Sequence, residues 1–172
     1  MQIGAFAVVV IFQPELRRAL EHLGRSKITT VFSQVDKDEA KQMIGEFVRA
    51  IENMSASRTG ALIVIERDTS LSKYIEKAKK IYADISSDLL MSIFFPNNPL
   101  HDGGVIIQGN KITSAGAVFP ISLNSKINKK LGTRHRAAVG ISEESDAIAI
   151  VVSEETGRVS VAIGGKLNYN LS

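Results

Sequence analysis

The sequence of 172 residues contains no cysteine, no tryptophan and only four prolines. Without cysteine the chain can form no disulfide bond, no thiolate nucleophile and no zinc site with cysteine ligands. It contains only three histidines, and it lacks the helix-borne histidine set of a metal phosphohydrolase. These absences exclude thiol chemistry and argue against a histidine-rich metal centre.

The chain also lacks a large excess of positive or negative charge. The 21 basic and 18 acidic residues leave a net charge of only +3. Generic nucleic-acid binding needs a denser basic surface, so we expect no nucleic-acid partner. The chain is 44% hydrophobic and 23% charged, which is typical of a soluble globular protein, and its length suits one domain.

The apolar run Ile3–Phe12 at the N-terminus is too short to cross a bilayer alone, since a spanning helix needs about 20 residues. It also lacks the basic start and cleavage site of a signal peptide. Two interpretations stay open. The run is either a buried strand or helix start, or the cytoplasmic end of a transmembrane helix whose remainder is missing, with Arg17, Arg18 and Arg25 near the membrane surface.

Hydrophobic periodicity and helix-terminating residues predict the helices and strands. The predicted helices are Pro14–Gly24, Asp36–Met54, Ser86–Phe95 and Thr133–Ser142, with Thr133 as a cap and a short helix plus loop over Leu71–Lys80. The predicted strands are Ala61–Ile65, Val105–Ile107, Ile112–Phe119, Ala147–Val152 and Val159–Ile163. The helices and strands interleave irregularly along the chain, which predicts an α/β fold of one domain, with a central mixed β-sheet flanked by helices.

The run Pro99–Gly104 places His101 and Asp102 before two glycines, at the start of an apolar strand. Glycine allows a backbone to approach a ligand closely, although Asp-Gly pairs often form simple turns. An imidazole beside a carboxylate suits Mn²⁺ or a similar ion. Adjacent side chains on a strand point apart, so both can reach one ion only if the turn breaks the alternation.

The run Gly132–Arg136 joins Thr133, two arginines and His135 at a predicted helix start. A helix N-terminus favours anions, and arginine binds phosphate oxygens in a bidentate manner. The alternative is a solvated basic turn. Further along, Ser153 and Glu155 follow a buried-looking strand, and Glu155 could complete a metal site with His101 and Asp102. A solvated acidic turn is the alternative there.

Together these motifs indicate nucleotide chemistry, and the sequence resembles the diadenylate cyclases, within them the membrane-tethered CdaA type. The resemblance covers nearly the whole chain. Its motifs are Phe12–Leu20, Gly60–Ile63, Pro99–Gly104, Gly132–Arg136 and Val152–Gly157. Two positions depart from the family pattern. Gly104 stands where the family has alanine, and Phe119 stands where an aliphatic residue is usual.

The resemblance implies condensation of two ATP molecules into cyclic di-AMP and two pyrophosphates. It implies that Asp102 lies at the ribose 3′-hydroxyl and binds a divalent cation, Mn²⁺ or Mg²⁺, with His101 and Glu155 as further ligands. The other residues that it implies contact ATP or support catalysis are Gly103, Gly104, Val118, Phe119, Gly132, Thr133, Arg134, His135, Arg136 and Ser153.

The resemblance also implies a face-to-face homodimer as the active state. Residues 1–12 are then the remnant of a transmembrane helix end, and residues 13–172 are the catalytic domain. The full-length protein is expected at the cytoplasmic face of the cell membrane, with a membrane regulator and a phosphoglucosamine mutase as partners. The alternatives are an adenine-nucleotide sensor module without catalysis and, less favoured, a metal phosphohydrolase.

Overall fold

The structure is a computed structural model that describes residues 35–124, 127 and 131–168. The predicted helix Pro14–Gly24 and the apolar run Ile3–Phe12 lie outside the described residues. The chain divides into two units, residues 1–42 and residues 43–172. Within the described ranges no helix is both long and apolar enough to cross a membrane.

The second unit is built on a seven-stranded sheet with the order β2-β4-β3-β1-β5-β6-β7. Strand β1 pairs with β3 in parallel, and all other neighbouring strands are antiparallel. This arrangement confirms the predicted α/β class with a mixed sheet. The strands are β1 (Ala61–Ile65), β2 (Lys79–Asp84), β3 (Gly104–Gln108), β4 (Lys111–Ala117), β5 (Ile148–Val152), β6 (Val159–Ile163) and β7 (Lys166–Asn168).

Helices cover both faces of the sheet. They are α1 (Val35–Ala56), α2 (Ser72–Ile75), α3 (Ser87–Phe94) and α4 (Thr133–Glu144). Because side chains alternate along a strand, Ala61 and Ile63 of β1 join the core formed with α1 and α3, and Leu62 and Val64 join the core formed with α2 and α4. A strand buried on both faces explains why this run is continuously apolar.

Helix α4 lies directly on the segment that follows β4. A Cβ built on Gly140 would lie 2.0 Å from the Pro120 carbonyl oxygen, so only glycine fits there. Beside this contact the Ser122 amide donates to the Arg136 carbonyl at 3.1 Å, and the Ser122 hydroxyl donates to the Glu143 carboxylate at 2.8 Å. The helix therefore fixes the chain that leaves β4.

Most predicted elements are confirmed. The sequence predicts a short helix plus loop over Leu71–Lys80 and no element over residues 81–85, whereas Lys79–Asp84 is strand β2. This strand lies at the edge of the sheet, and its register with β4 shifts between Lys80 and Ala83. Tyr82 in this irregular region has a φ of +52°. Charged side chains suit an edge strand and remove the apolar alternation by which strands are recognised.

Two predicted boundaries are wrong. Strand β4 ends at Ala117, so Phe119 lies beyond it, and Thr133 is the first helical residue of α4 and not its cap. The N-cap is Gly132, in an extended conformation with φ −70° and ψ 176°, and no side chain caps this helix. The short strand β7 was not predicted.

We expect Gly140→Ala to destabilise the protein by about 1–3 kcal/mol, because the new methyl group would collide with backbone atoms that cannot yield easily. Thermal unfolding measures the loss. Gly45→Ala is the matched control, since a Cβ at Gly45 meets nothing within 4 Å on helix α1. Equal melting temperatures for Gly140→Ala and the unaltered protein would contradict the packing described.

Candidate active site

A cavity of about 370 Å³ lies at the end of the sheet where β1 and β3 begin and where β4 and β5 end. Five segments of the chain contribute to its wall, so the fold brings together residues that are distant in sequence. The lining residues are Leu62, Asp102, Gly103, Ala117, Val118, Phe119, Ile121, Thr133, Arg134, Ala137 and Glu154.

The turn that carries Asp102 is held close to the end of β4. Gly103 has a φ of +103°, and a Cβ on it would lie 2.6 Å from the Ala117 carbonyl oxygen. Both facts require glycine at this position. On the other side of the turn, Nδ1 of His101 lies 2.5 Å from the Asn98 carbonyl oxygen. The turn therefore holds the Asp102 carboxylate at the cavity and turns the His101 ring back towards its own loop.

The Arg134 guanidinium connects three of the segments. Its Nη1 donates to the Glu154 carboxylate at 2.8 Å, and its Nη2 donates to the His101 carbonyl oxygen at 3.3 Å. A Cβ on Gly60 would lie 2.7 Å from Nη1 and 2.8 Å from the Glu154 carboxylate, so glycine leaves the space for this ion pair. Sequence reasoning assigned no chemistry to Gly60 or Glu154.

His135, the residue after Arg134, is oriented differently. Its side chain is buried, with 6% of the residue exposed, and it is absent from the cavity lining. Burial lowers the pKa of the His135 imidazole, and the Glu155 carboxylate raises it by a smaller amount. The ring is therefore held in its neutral form within the first turn of α4.

The structure brings part of the predicted site together. The predicted residues around the cavity are Asp102, Gly103, Val118, Phe119, Thr133 and Arg134. The predicted residues outside its lining are His101, Gly104, Gly132, His135, Arg136, Ser153 and Glu155. The lining residues that were not predicted are Leu62, Ala117, Ile121, Ala137 and Glu154. The sequence indicates these positions only through the apolar periodicity of an element or through a neighbouring motif.

The predicted three-ligand metal site is not assembled in the described residues, where no group of three histidine, cysteine or acidic side chains could hold an ion. The His101 ring is engaged with Asn98, and Glu155 acts on the buried His135. The Asp102 and Glu154 carboxylates do line the cavity. Such oxygen donors fit Mg²⁺ or Mn²⁺, which commonly take one or two carboxylates and complete their coordination with phosphate oxygens and water.

The buried His135 predicts a pH dependence of stability. Because its pKa in the folded chain lies below the ordinary 6.5, the unfolded chain binds the proton first as the pH falls. We expect the free energy of unfolding to fall as the pH drops below about 6.5, and His135→Gln to reduce that slope. The pKa values of Glu144 and Asp146 are lowered from 4.5 and 3.8, so their contribution to the slope lies mainly below about pH 5.

Denaturant unfolding between pH 7.5 and 5 measures this slope directly. An equal slope for His135→Gln and the unaltered chain would show that the imidazole is not held neutral by the fold. A change in absolute stability alone does not decide the question, because the substitution alters a buried side chain.

Residues 48–167 match the model of the DAC family, described as DisA bacterial checkpoint controller nucleotide-binding. The chain is 50% identical over 169 residues to a diadenylate cyclase of Listeria monocytogenes, covering 98% of this chain and 62% of that protein. It is 49% identical over 169 residues to the cyclic di-AMP synthase CdaA of Bacillus subtilis, with the same coverage of 98% and 62%. The chain thus spans less than two thirds of the length of these relatives.

Solved structures give the same result. A crystal structure of DacA from Staphylococcus aureus, a double mutant, is 50% identical with a TM-score of 0.78, covering 78% of this chain and 90% of that one. A hypothetical membrane spanning protein from Bacillus cereus is 35% identical with a TM-score of 0.70, covering 95% of this chain and 80% of that one. The family resemblance inferred from the motifs is confirmed, and the chain belongs to the DAC family of nucleotide-binding domains.

Proposed function

We propose that this chain is the catalytic domain of a diadenylate cyclase, which condenses two ATP molecules into cyclic di-AMP and releases two pyrophosphates. The observation that carries the proposal is that Asp102 and Arg134 line one cavity, although they come from separate motifs. Support also comes from relatives named diadenylate cyclase at 50% identity.

The reaction needs two nucleotides in a defined relative position. The 3′-oxygen of each ATP bonds to the α-phosphorus of the other, the bond from that phosphorus to pyrophosphate breaks, and the hydroxyl proton leaves. Positioning and neutralisation of charge dominate such phosphoryl chemistry. A carboxylate and a guanidinium in one cavity can serve these two purposes.

Asp102 orients the attacking hydroxyl, and Arg134 holds the phosphates. Arg134 is paired with Glu154, whose side chain is 67% exposed. An exposed carboxylate can be displaced by a phosphate, which makes charge-assisted hydrogen bonds of the same kind. Arg136 and the Thr133 and Ser153 hydroxyls contribute further contacts to the phosphates. His135 is buried and lies outside the cavity lining, so we assign it no contact with the phosphates.

Gly103 and Gly104 shape the acidic turn, and Gly132 begins the arginine-bearing helix. The backbone at Val118 and Phe119 receives the adenine. A divalent cation, Mn²⁺ or Mg²⁺, held by Asp102, would lower the pKa of the hydroxyl and neutralise phosphate charge when bound. His101 and Glu155, the further ligands that the resemblance implies, lie outside the cavity lining and are not proposed as ligands.

A second copy of the chain would complete the reaction geometry. The product is two-fold symmetric, and the contact that presents two identical cavities to one another is isologous. Apolar side chains are exposed at and beside the cavity, with Val118 81% exposed, Ile121 43% and Leu123 95%. Exposed apolar groups of this kind mark an association surface. We therefore propose a face-to-face homodimer as the active species.

The full-length protein is proposed to be anchored at the cytoplasmic face of the membrane, in keeping with the similarity to a membrane spanning protein from Bacillus cereus. The membrane regulator and the phosphoglucosamine mutase stay predictions from the family resemblance.

Asp102→Asn should reduce formation of cyclic di-AMP by at least a hundredfold, because loss of the carboxylate charge removes positioning of the hydroxyl. Binding of ATP should change by less than tenfold, since Arg134 remains. Incubation with ATP and Mn²⁺ followed by chromatography measures the product, and calorimetry measures binding. Asp84→Asn is the matched control, because Asp84 is 80% exposed and pairs only with Lys111 among the described contacts.

Unchanged turnover by Asp102→Asn would contradict the proposed role of the carboxylate. Tight ATP binding by the unaltered chain without cyclic product would favour the sensor module. Release of inorganic phosphate from nucleotides would favour the phosphohydrolase.

The homodimer predicts that the rate per chain falls when the protein is diluted below the dimer dissociation constant. Well below this dissociation constant, the fraction of chains in dimers is proportional to the chain concentration. The rate per chain should decrease in the same proportion, because each cavity needs a partner cavity. Product formation over a hundredfold dilution series, alongside light scattering, measures this. A constant rate per chain in samples that scatter as monomers would contradict the dimer.

A further inference from the structure

The position of the Phe119 side chain, and not the backbone conformation, favours glycine at position 104. Unlike Gly103, Gly104 does not have a positive φ, so any residue could adopt its conformation. A Cβ on Gly104 would nevertheless lie 2.7 Å from Cε2 of Phe119, and 3.0 Å from both Cγ and the carbonyl oxygen of Leu62. The nearest obstacle to a side chain at this position is therefore the Phe119 ring.

We infer that Gly104 and Phe119 form a steric pair that sets the apolar wall of the nucleotide cavity, such that a side chain at 104 and an aromatic ring at 119 exclude each other. The inference rests on the proposed function for its ligand, a purine nucleotide. It assigns Gly104 as a positioning residue that acts through Phe119.

The ring cannot simply move aside. Phe119 is only 5% exposed, and on another side it meets the Tyr74 ring, with centroids 5.3 Å apart and planes inclined by 52°. Tyr74 is itself held, since its hydroxyl donates to the Glu144 carboxylate at 2.7 Å and that carboxylate also pairs with Lys73 at 3.0 Å. A methyl group at Gly104 would therefore push the ring against a fixed neighbour or into the cavity.

Displacement of the Phe119 ring would change the affinity for the nucleotide more than the rate of the chemical step. Phe119 and Leu62 supply apolar wall, whereas Asp102 and Arg134 supply the charged groups of the same cavity. An aromatic side chain offers the kind of apolar contact that a purine base uses. A loss of such contact weakens ground state and transition state alike, which raises KM and leaves kcat nearly unchanged.

The test is a double-mutant cycle with Gly104→Ala, Phe119→Leu and the combination of both. Melting temperature, KM and kcat for ATP, and the affinity for a non-hydrolysable ATP analogue are measured for each protein. Gly104→Ala should lower the melting temperature and weaken binding of the analogue about tenfold, the size expected of an overpacked wall. Phe119→Leu should raise KM with kcat within about twofold of the unaltered chain.

The combined variant should melt higher and bind the analogue more tightly than Gly104→Ala alone, because the shorter side chain removes the nearest collision. Gly45→Ala introduces the same methyl group where nothing lies within 4 Å, and it should show no loss in either measurement. If Gly104→Ala does not fold but the combined variant does, the result supports the inference that a side chain at 104 and the ring at 119 exclude each other.

The inference is overturned if Gly104→Ala equals the unaltered chain in melting and binding, or if the combined variant is no better than Gly104→Ala. It is also overturned if both variants fail to fold. An unaltered chain that makes no cyclic di-AMP would refute the proposed function instead, while the melting temperatures would still decide whether the two positions exclude each other.

Discussion

The Arg134 guanidinium is the contact on which the geometry of the cavity depends. It reaches the carbonyl oxygen of His101 in the turn before β3 and the Glu154 carboxylate after β5, and Gly60 at the start of β1 leaves the space for it. The Arg134 side chain is only 23% exposed, so its charge is costly to hold without partners. Nη1 and Nη2 have partners, whereas the buried Nε has no hydrogen-bond partner among the described residues. The two pairings hold three distant segments at one place.

The same contact balances the charge of the cavity. Glu154 provides a negative charge for Arg134, yet its own side chain is 67% exposed and little is lost when it leaves. Under the proposed function, an arriving phosphate would replace this carboxylate with another oxygen anion. The cavity is thus organised for an anion before the anion binds.

Close backbone approach shapes the remaining walls. Gly103 allows the acidic turn to meet Ala117, and Gly140 allows α4 to lie on Pro120. These contacts set the two ends of the segment that carries Val118 and Phe119, the least regular part of the cavity wall. Small residues at such crossings determine the shape of the site as directly as the charged residues determine its chemistry.

Local patterns in the sequence predicted the elements that are buried and regular. Strand β1 has the predicted bounds because burial on both faces leaves a continuous apolar run. Strand β2 was missed because an edge strand with exposed lysines carries no such run. The motifs also placed Asp102 and Arg134 in one site, since each has a residue type suited to phosphate or metal chemistry.

Other features depend on tertiary contacts that no local pattern records. Glu155 was chosen over Glu154 as a site residue, but adjacent side chains point in different directions and it is Glu154 that meets Arg134. Gly104 and Phe119 are distant in sequence, and no local pattern relates them. Only the three-dimensional structure brings the two positions together.

The central claim is that the acidic turn and the arginine-bearing helix bind the same nucleotide. A crystal structure with a non-hydrolysable ATP analogue and Mg²⁺ tests it most directly. The account predicts the triphosphate between Asp102 and Arg134, with the Glu154 carboxylate displaced and the base against Phe119. An analogue bound at another surface, with the pair between Arg134 and Glu154 intact, would contradict it.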